Sequence, residues 1–323
     1  MKKTISIPIY CFSLAVILIT FLGCKEKTAK DGLVTSPSAF FQQNLENAKQ
    51  KFIIDPTIYN SLQGSQGTLV QISPNSLVDA QGNLVTSEVT VEFISVFDRT
   101  SMLMLGKNTQ GMRSLGVVQT MVTGGEYYLN AHASGNQVFL NQDIAVSVPV
   151  NNGGSGPWNM RKFDGGEALD GNPIWELAAD SLIPVDTIQI MEQWQAAYEL
   201  LENDWGWTNI DRWYNDPRPK TQLYVQVPEE YDNSNCEVFL SYDGEPNALA
   251  NFDVWDSEQE MFTEHYGQVP IGLECHFIAV TIIDEVLHYA IQGNTIEEDH
   301  VEVIEDWTPT TQAELADLID ALP

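Results

Sequence analysis

The chain has 323 residues and carries 45 acidic residues against 15 lysines and arginines, which gives a net charge of −30 at pH 7. So acidic a chain repels nucleic acid, because it has no basic surface to neutralise phosphates. The hydrophobic content of 43% and the aromatic content of 10% exclude a disordered acidic tail and predict a folded body.

The N-terminal segment has the pattern of a bacterial lipoprotein signal peptide. Lys2 and Lys3 precede a mainly apolar stretch, residues 5–22, which ends at Gly23 and Cys24. A positive start, an apolar centre and a small residue before the cleavage point are typical of secretory signals. A retained membrane helix is the alternative, since the stretch is nearly long enough to span a bilayer. The small residue before a cysteine favours cleavage after residue 23 and anchoring through acyl chains, such as palmitate, on Cys24.

The remaining sequence predicts a mainly β protein with two antiparallel β-sandwich domains and a short C-terminal α-helix. Short alternating segments, such as 117–122 and 126–133, are separated by Gly- and Asn-containing turns, which is typical of sandwiches. Thr311 and Glu314 have the spacing of a capping box at the start of the last helix. The predicted order is a signal peptide at 1–23, a tether and leading segment at 24–55, a first sandwich at 56–150, a connector at 151–195, a second sandwich at 196–307 and the helix at 308–323.

Two cysteines of the mature chain have no part in lipidation. Cys236 and Cys275 each begin a predicted strand, and neighbouring strand starts bring two sulfurs together. Export to an oxidising compartment permits a disulfide between them. A buried, reduced pair is the alternative.

An unusually aromatic segment spans residues 204–214. Exposed rings there would stack on sugar faces, beside Asp and Asn groups that form hydrogen bonds, and would make a glycan-binding platform. The sequence favours the other interpretation, in which Trp207 and Trp213 fill the second core and Asp211 pairs with Arg212 to hold the domain junction. The four aromatic residues of the segment are Trp205, Trp207, Trp213 and Tyr214.

The predicted connector contains two short patterns similar to Bacteroidota O-glycosylation sequences. In each, an aspartate precedes a hydroxyl residue and an apolar residue follows it, which makes Ser181 and Thr187 candidate modification sites. Turns rich in Asp and Asn at 164–172, 232–235 and 243–247 offer oxygen ligands for Ca²⁺. They lack an ordered ligand spacing, which favours ordinary solvated turns.

The sequence contains none of the common catalytic motifs. A Gly-x-Ser-x-Gly elbow, a P-loop, a Gly-x-Gly-x-x-Gly fingerprint and a His-Glu-x-x-His helix are all missing from it. We therefore predict a protein without a cofactor, a metal site or an enzymatic activity.

Three stretches carry a resemblance to a known group of proteins. In the first, residues 67–79, 81–85 and 89–93 are similar to a β-sandwich module of that group. Residues 206–212 are similar to its Gly-Trp-Ile-Asn-Cys-Asp-Arg-like motif, with Thr208 and Ile210 at the Ile and Cys positions, and 310–315 is similar to the ending of such proteins. The group consists of uncharacterised Bacteroidota outer-membrane and surface lipoproteins with β-sandwich modules. The resemblance implies an outer-membrane lipoprotein, facing the periplasm or the cell surface, and brings no catalytic residues.

The predicted function is that of a membrane-anchored, non-catalytic structural, adhesion or accessory binding module. Its expected partners are the membrane, through the lipid on Cys24, and a protein or a glycan, but not nucleic acid. A glycan-binding lipoprotein that uses the aromatic segment is the first alternative. An enzyme of unrecognised type is the second.

Overall fold

A computed structural model describes residues 34–113, 116–150, 159–167, 173–178, 181–190, 193–264 and 266–323. The predicted signal peptide and the lipidation site Cys24 lie outside these residues. Within the described part, the chain is mainly β with a short C-terminal helix, which confirms the predicted fold class.

Three helices occur among the described residues, and each begins at a capping side chain. Ser36 accepts a hydrogen bond from the amide of Ala39 at 3.2 Å, and Asp98 accepts one from the amide of Ser101 at 2.7 Å. The predicted capping box at Thr311 is present in full. The helices are α1 (Pro37–Ala48), α2 (Arg99–Met104) and α3 (Gln312–Asp320).

The strands are short apart from a few long ones at the centres of the sheets. In chain order they are β1 (Gln50–Ile54), β2 (Asn60–Gln63), β3 (Leu69–Ile72), β4 (Leu77–Val78), β5 (Val89–Val96), β6 (Gln110–Met112), β7 (Val118–Ala133), β8 (Asn136–Gln137), β9 (Phe139–Leu140), β10 (Ile144–Pro149), β11 (Arg161–Glu167), β12 (Pro173–Leu177), β13 (Val185–Ile190), β14 (Gln193–Glu202), β15 (Gly206–Trp213), β16 (Lys220–Thr221), β17 (Tyr224–Gln226), β18 (Cys236–Tyr242), β19 (Leu249–Asn251), β20 (Val254–Asp256), β21 (Met261–Thr263), β22 (Val269–Pro270), β23 (Glu274–Ile283), β24 (Val286–Thr295), β25 (Val301–Val303) and β26 (Thr308–Pro309).

Two sheets form the first sandwich. Sheet I has the strand order β1-β5-β7-β15-β11-β12-β6, and sheet II has the order β13-β14-β10-β3-β2. Val91 and Phe93 of sheet I pack with Val146 and Tyr198 of sheet II in one apolar cluster, which we call the first core. The alternation of β5 thus places every second side chain in this core.

Two further sheets form the second sandwich. Sheet III has the order β19-β18-β23-β24-β26, and sheet IV has the order β20-β21-β17-β25. Val238 and Phe277 of sheet III pack with Val225 and Phe262 of sheet IV in the second core. Most of the pairings are antiparallel, but β17 with β25 and β12 with β6 are parallel.

A third apolar cluster, the middle core, lies between sheets I and III. Ile94 lies on the face of sheet I that points away from the first core, and Ile278 lies on the face of sheet III that points away from the second core. Between these faces they pack with one residue from each helix, namely Phe41 of α1, Met102 of α2 and Leu315 of α3. Both sheets are therefore covered on both faces. The middle core makes Val34–Pro323 one compact unit, where the sequence predicts two separate domains.

The segment predicted to be a connector is instead part of the first sandwich. Strands β11 and β12 extend sheet I beside β15, and β13 forms an edge of sheet II beside β14. The Gly- and Asp-rich composition of 151–195 indicates turns, but composition does not predict which strands pair through hydrogen bonds. The second sandwich begins later in the chain than the predicted start at residue 196, because β15 belongs to sheet I.

Candidate functional site

The aromatic segment predicted from the sequence lies on β15, an interior strand of sheet I. This strand pairs with β7 on one side and with β11 on the other, in antiparallel register. Trp207 and Asn209 project from the face of the sheet that meets the middle core, whereas Thr208 projects toward the first core. Both faces of the segment therefore meet other parts of the protein.

Trp205 and Trp207 are half-buried and held by specific contacts. The indole Nε1 of Trp205 donates a hydrogen bond to the carbonyl oxygen of Val138 at 2.7 Å. The ring of Trp207 lies 5.4 Å from the ring of Tyr128, centroid to centroid, and the Lys107 ammonium lies 4.0 Å above the Trp207 ring. The last contact is a cation–π interaction at a largely desolvated position.

The other two aromatic side chains pack elsewhere. Trp213 meets Phe163 edge to face at a centroid distance of 5.3 Å, and Tyr214 meets Tyr242 in the same way at 5.2 Å. Trp207 and Trp213 pack against one small cluster, whereas Trp205 packs against the first core and Tyr214 against the second, so the four rings form no single platform. The sequence interpretation that placed Trp207 and Trp213 in the second core is therefore correct about their packing but wrong about its location, because neither ring lies in the second core.

Asp211 and Arg212, expected from the sequence to pair, each make another contact, while the charge of Arg212 still acts to lower the pKa of Asp211. Adjacent residues of a strand project to opposite faces, so these two side chains diverge. Arg212 approaches Glu245 at 3.5 Å, and Asp211 accepts a hydrogen bond from Asn209 Nδ2 at 2.9 Å. Arg212 therefore links sheet I to the turn after β18.

Asp211 belongs to a buried polar cluster under the face of β15 that meets the middle core. Asn209 Oδ1 accepts a hydrogen bond from the Thr123 hydroxyl at 2.8 Å, and Asn209 Nδ2 lies 3.5 Å from Glu126 Oε1. Lys107 provides a nearby positive charge. Glu126, Asn209 and Asp211 have no solvent exposure.

A bulge in the strand pairing brings these side chains together. The register of β7 with β15 shifts between Asn209 and Asp211, opposite Gly124 and Gly125. Gly125 has a φ of +140°, and a Cβ there would lie 2.6 Å from a ring carbon of Phe97. The sequence predicts two strands that end on either side of these glycines, whereas the structure has one strand, β7, that passes through them.

Burial makes proton binding favourable in this cluster. Desolvation raises the pKa of Asp211 to about 8, against opposing hydrogen bonds from Thr123 and Asn209. Desolvation and the charge of Asp211 raise the pKa of Glu126 well above its usual range, and burial lowers the pKa of Lys107. Among the described residues, Glu126 Oε2 and Asp211 Oδ1 have no hydrogen-bond partner. We therefore expect the two carboxyl groups to retain a proton near neutral pH.

A pocket of about 200 Å³ lies beside Trp205 and Trp207, and we call it the aromatic pocket. Its charged groups are Lys162, Asp164, Glu202 and Asp204. The Lys162 ammonium lies 2.7 Å from Glu202 and 3.2 Å from Asp164. The pocket is thus a preformed site with two rings and a positive charge between two carboxylates.

The hydrogen bonds in the aromatic pocket favour binding over acid–base chemistry. Burial raises the pKa of Glu202, but one of its oxygens accepts from the Tyr127 hydroxyl and the other pairs with Lys162. Although burial opposes the charge on Lys162, the contacts with Glu202 raise its pKa on balance. Both Glu202 oxygens are already occupied, so this carboxyl group has no free oxygen to present to a substrate.

The structure contradicts the disulfide considered for Cys236 and Cys275. Both thiols are free and buried. In the antiparallel pairing of β18 with β23, Cys236 lies opposite Thr281 and Cys275 lies opposite Tyr242, at the two ends of the ladder. Six residues of strand separate the cysteines by about 20 Å, far beyond the roughly 7 Å between Cα atoms that a disulfide tolerates.

The candidate modification sites Ser181 and Thr187 are both exposed. Thr187 lies on β13, an edge strand of sheet II, and the part of the chain around it is therefore accessible. The Asp/Asn-rich turns use their oxygens internally: Asp232 accepts from the amide of Ser234 at 2.8 Å, and Asp243 contacts His276 at 2.7 Å. Residues 168–172 of the first such turn lie outside the described residues.

The described residues contain no group of three or more His, Cys, Asp or Glu side chains placed to hold a metal ion. Nor does the described part of the chain contain a helix with the length and apolar character needed to cross a membrane. The sequence matches no protein-family model and no curated protein.

Sequence reasoning missed both charged groupings at β15. Lys107, Glu126 and Asp211 are far apart in the chain, and so are Lys162 and Glu202. The available signal was the scarcity of basic residues, since the chain has 15 lysines and arginines against 45 acidic residues. In such a chain, a lysine among apolar residues indicates a nearby acidic partner. That signal does not identify the partner.

Proposed function

We propose that the protein is a bacterial lipoprotein, anchored to the outer membrane through lipid on Cys24, whose folded body is a non-catalytic binding or accessory module. The observation that carries this proposal is Gly23 and Cys24 at the border between the apolar stretch 5–22 and the polar chain. Acyl chains on one cysteine supply firm attachment without a spanning helix.

Two features of the folded body support the proposal. Helix α1 begins at Pro37, about a dozen residues after Cys24, and an extended chain of that length spans at most roughly 45 Å. A lipid on Cys24 would therefore hold the body close to the membrane. The charged groups at β15 are fixed in pairs and buried clusters, an arrangement that suits a rigid binding scaffold better than a reaction centre.

Replacement of the lipidated cysteine tests the anchor. We expect the wild-type protein to fractionate with outer membranes and to incorporate a palmitate analogue, and we expect Cys24→Ala to lose both properties. Cys11→Ala is the matched control, because that residue leaves with the predicted signal peptide. Palmitate incorporation by the Cys24→Ala variant, or its recovery in the outer membrane, would refute the proposal, whereas attachment to the inner membrane through an uncleaved stretch 5–22 would not.

Glycan binding is the second candidate, and the aromatic pocket favours it. Two indole rings beside polar groups match the apolar face and the hydroxyls of a sugar. We expect Trp205→Phe and Asp204→Ala to weaken glycan binding. Asp204→Ala should leave the melting temperature unchanged, whereas Trp205→Phe also loses the hydrogen bond to Val138 and should lower it slightly. Asp143→Ala, at another exposed aspartate, is the control. Unchanged binding in both pocket variants would remove the aromatic pocket as the glycan site.

A further inference from the structure

A second cleft, of about 430 Å³, lies where α1, β5, α2 and the start of α3 meet. Its volume is in the range of small-ligand sites. The lining is rich in amide side chains, and four separate parts of the chain supply it. The amides are those of Asn44, Asn47, Gln50, Gln66 and Gln312.

The cleft differs from the rest of the molecule in its charge. None of the described side chains that line it is ionised, although the chain as a whole has a net charge of −30. Gln50 lies between two lysines that are paired with Glu92. The ammonium of Lys49, just before β1, lies 3.8 Å from Glu92, and that of Lys51, within β1, lies 3.3 Å from it. An anionic ligand would find no cation in the lining, and a cationic ligand would find no carboxylate.

Hydrogen bonds hold several of the amides in place. Gln50 Oε1 accepts from the backbone amide of Ser65 at 2.7 Å, and Gln66 Oε1 accepts from the Ser95 hydroxyl at 2.9 Å. Asn44 Nδ2 donates to the carbonyl of Met104 at 2.8 Å. Within the described residues, the Nε2 groups of Gln50 and Gln66 make no hydrogen bond, so two oriented donors remain for a ligand.

Apolar atoms complete the lining. Ala48, Met104 and Leu105 contribute to the cleft beside the amides and the hydroxyl of Ser101. Fixed amide donors next to hydroxyl and aliphatic groups match a molecule with many hydroxyls on an uncharged carbon ring. The fixed amides also reduce the entropy that binding must overcome.

We infer that this amide-lined cleft binds a neutral oligosaccharide. The inference goes beyond the glycan binding proposed for the aromatic pocket, because it names a separate site with its own lining. The absence of charge in the described lining gives the cleft its selectivity, since uronic or sialic acids would enter a strongly negative molecule without a compensating cation.

Isosteric variants test this inference in the full lipoprotein, held in a zwitterionic detergent without a sugar headgroup. The probes are neutral hexasaccharides of glucose, mannose and galactose, with oligogalacturonate as the acidic comparison, and binding is measured by calorimetry. Gln50→Glu and Gln66→Glu keep the acceptor oxygen and replace only the donor end of the amide. Gln42→Glu adds the same charge on an exposed position of α1 outside the cleft.

We expect at least one neutral hexasaccharide to bind, oligogalacturonate to bind more weakly, and each cleft variant to lose about tenfold in affinity. The Gln42→Glu control should retain wild-type affinity, and melting temperatures should confirm that all variants fold. A panel without any neutral binder overturns the inference, and so does wild-type affinity in both cleft variants. If Trp205→Phe alone abolishes binding, glycan recognition stands but belongs to the aromatic pocket.

Discussion

Asn209 donates a hydrogen bond to Asp211 over 2.9 Å in the interior of the protein, and neither side chain is exposed to solvent. The bond crosses a bulge that Gly124 and Gly125 make possible on the neighbouring strand. Glu126 lies beside the same amide, so two carboxyl groups share one small, dry region. Such a region links proton binding to stability.

Stability should fall as the pH rises from about 5 to about 8. Burial raises the pKa of Asp211 from 3.8 to about 8, so in this range the folded state holds a proton that the unfolded state has released. Each such proton lowers the free energy of unfolding by about 1.4 kcal/mol per pH unit. Urea unfolding at several pH values measures the slope.

The variant Asp211→Asn should reduce the slope of unfolding free energy against pH by about 1.4 kcal/mol per pH unit, the contribution of one proton, because the amide does not titrate. Asp232→Asn is the control, since hydrogen bonds with Ser234 lower the pKa of that partly exposed carboxyl group and it stays ionised above pH 5. Identical slopes for the wild type and Asp211→Asn would contradict a buried proton at Asp211.

Replacement of Trp207 in sheet I should lower the stability of the protein, whereas replacement of Trp194 in sheet II should not. Trp207→Ala removes the ring that packs against Tyr128 and Lys107, and we expect a loss of about 3 kcal/mol in unfolding free energy. Trp194→Ala removes a ring that is 71% exposed, and its effect should be within about 0.5 kcal/mol. Chemical denaturation of both variants measures the difference; equal, small losses would show that Trp207 has no packing role.

Arg99 should be essential for docking of the C-terminal helix. Its guanidinium is 3% exposed and donates to the Ser241 hydroxyl at 3.0 Å, to the Pro323 oxygen at 2.7 Å and to the Leu322 carbonyl. Arg99→Met removes the donor from the buried Ser241 hydroxyl and from two less buried oxygens of the last residues, and we expect a loss of about 2 kcal/mol.

The matched control for Arg99 is Lys51→Met. The Lys51 side chain is 60% exposed and pairs with Glu92, so its loss should cost no more than about 0.5 kcal/mol. Limited proteolysis provides a second measurement, because release of α3 in the Arg99 variant should expose the chain near Thr310 to cleavage. Equal resistance of both variants to protease would argue against this docking role.

Cys236 and Cys275 should remain unreactive thiols in the folded protein. Both are buried, and burial raises the pKa of each thiol, so little thiolate is present at neutral pH. We expect iodoacetamide to label neither cysteine in native conditions and both in urea, as followed by peptide mass spectrometry. A peptide pair linked through these two cysteines under non-reducing conditions would be incompatible with the register of β18 and β23.

Several elements were predictable because neighbouring residues determine them. The alternation of β5 separates Val91 and Phe93 from Ile94, and the spacing of Thr311 and Glu314 defines the first turn of α3. Side-chain periodicity and capping depend on the geometry of a few consecutive residues. The turns of 151–195 were also predictable, but the pairing of β11 with β15 and of β13 with β14 was not.

Sequence by itself determined the mainly β fold class, the capped C-terminal helix and the acidic charge, and it supplied the pattern at Cys24 that predicts the anchor. Only the tertiary structure decided that Ile94 also faces a core, that Cys236 and Cys275 lie at opposite ends of a strand pair, and that Lys107 meets Trp207. These relationships depend on strand register and on the stacking of layers. Many contacts between distant residues set both, and no local period encodes them.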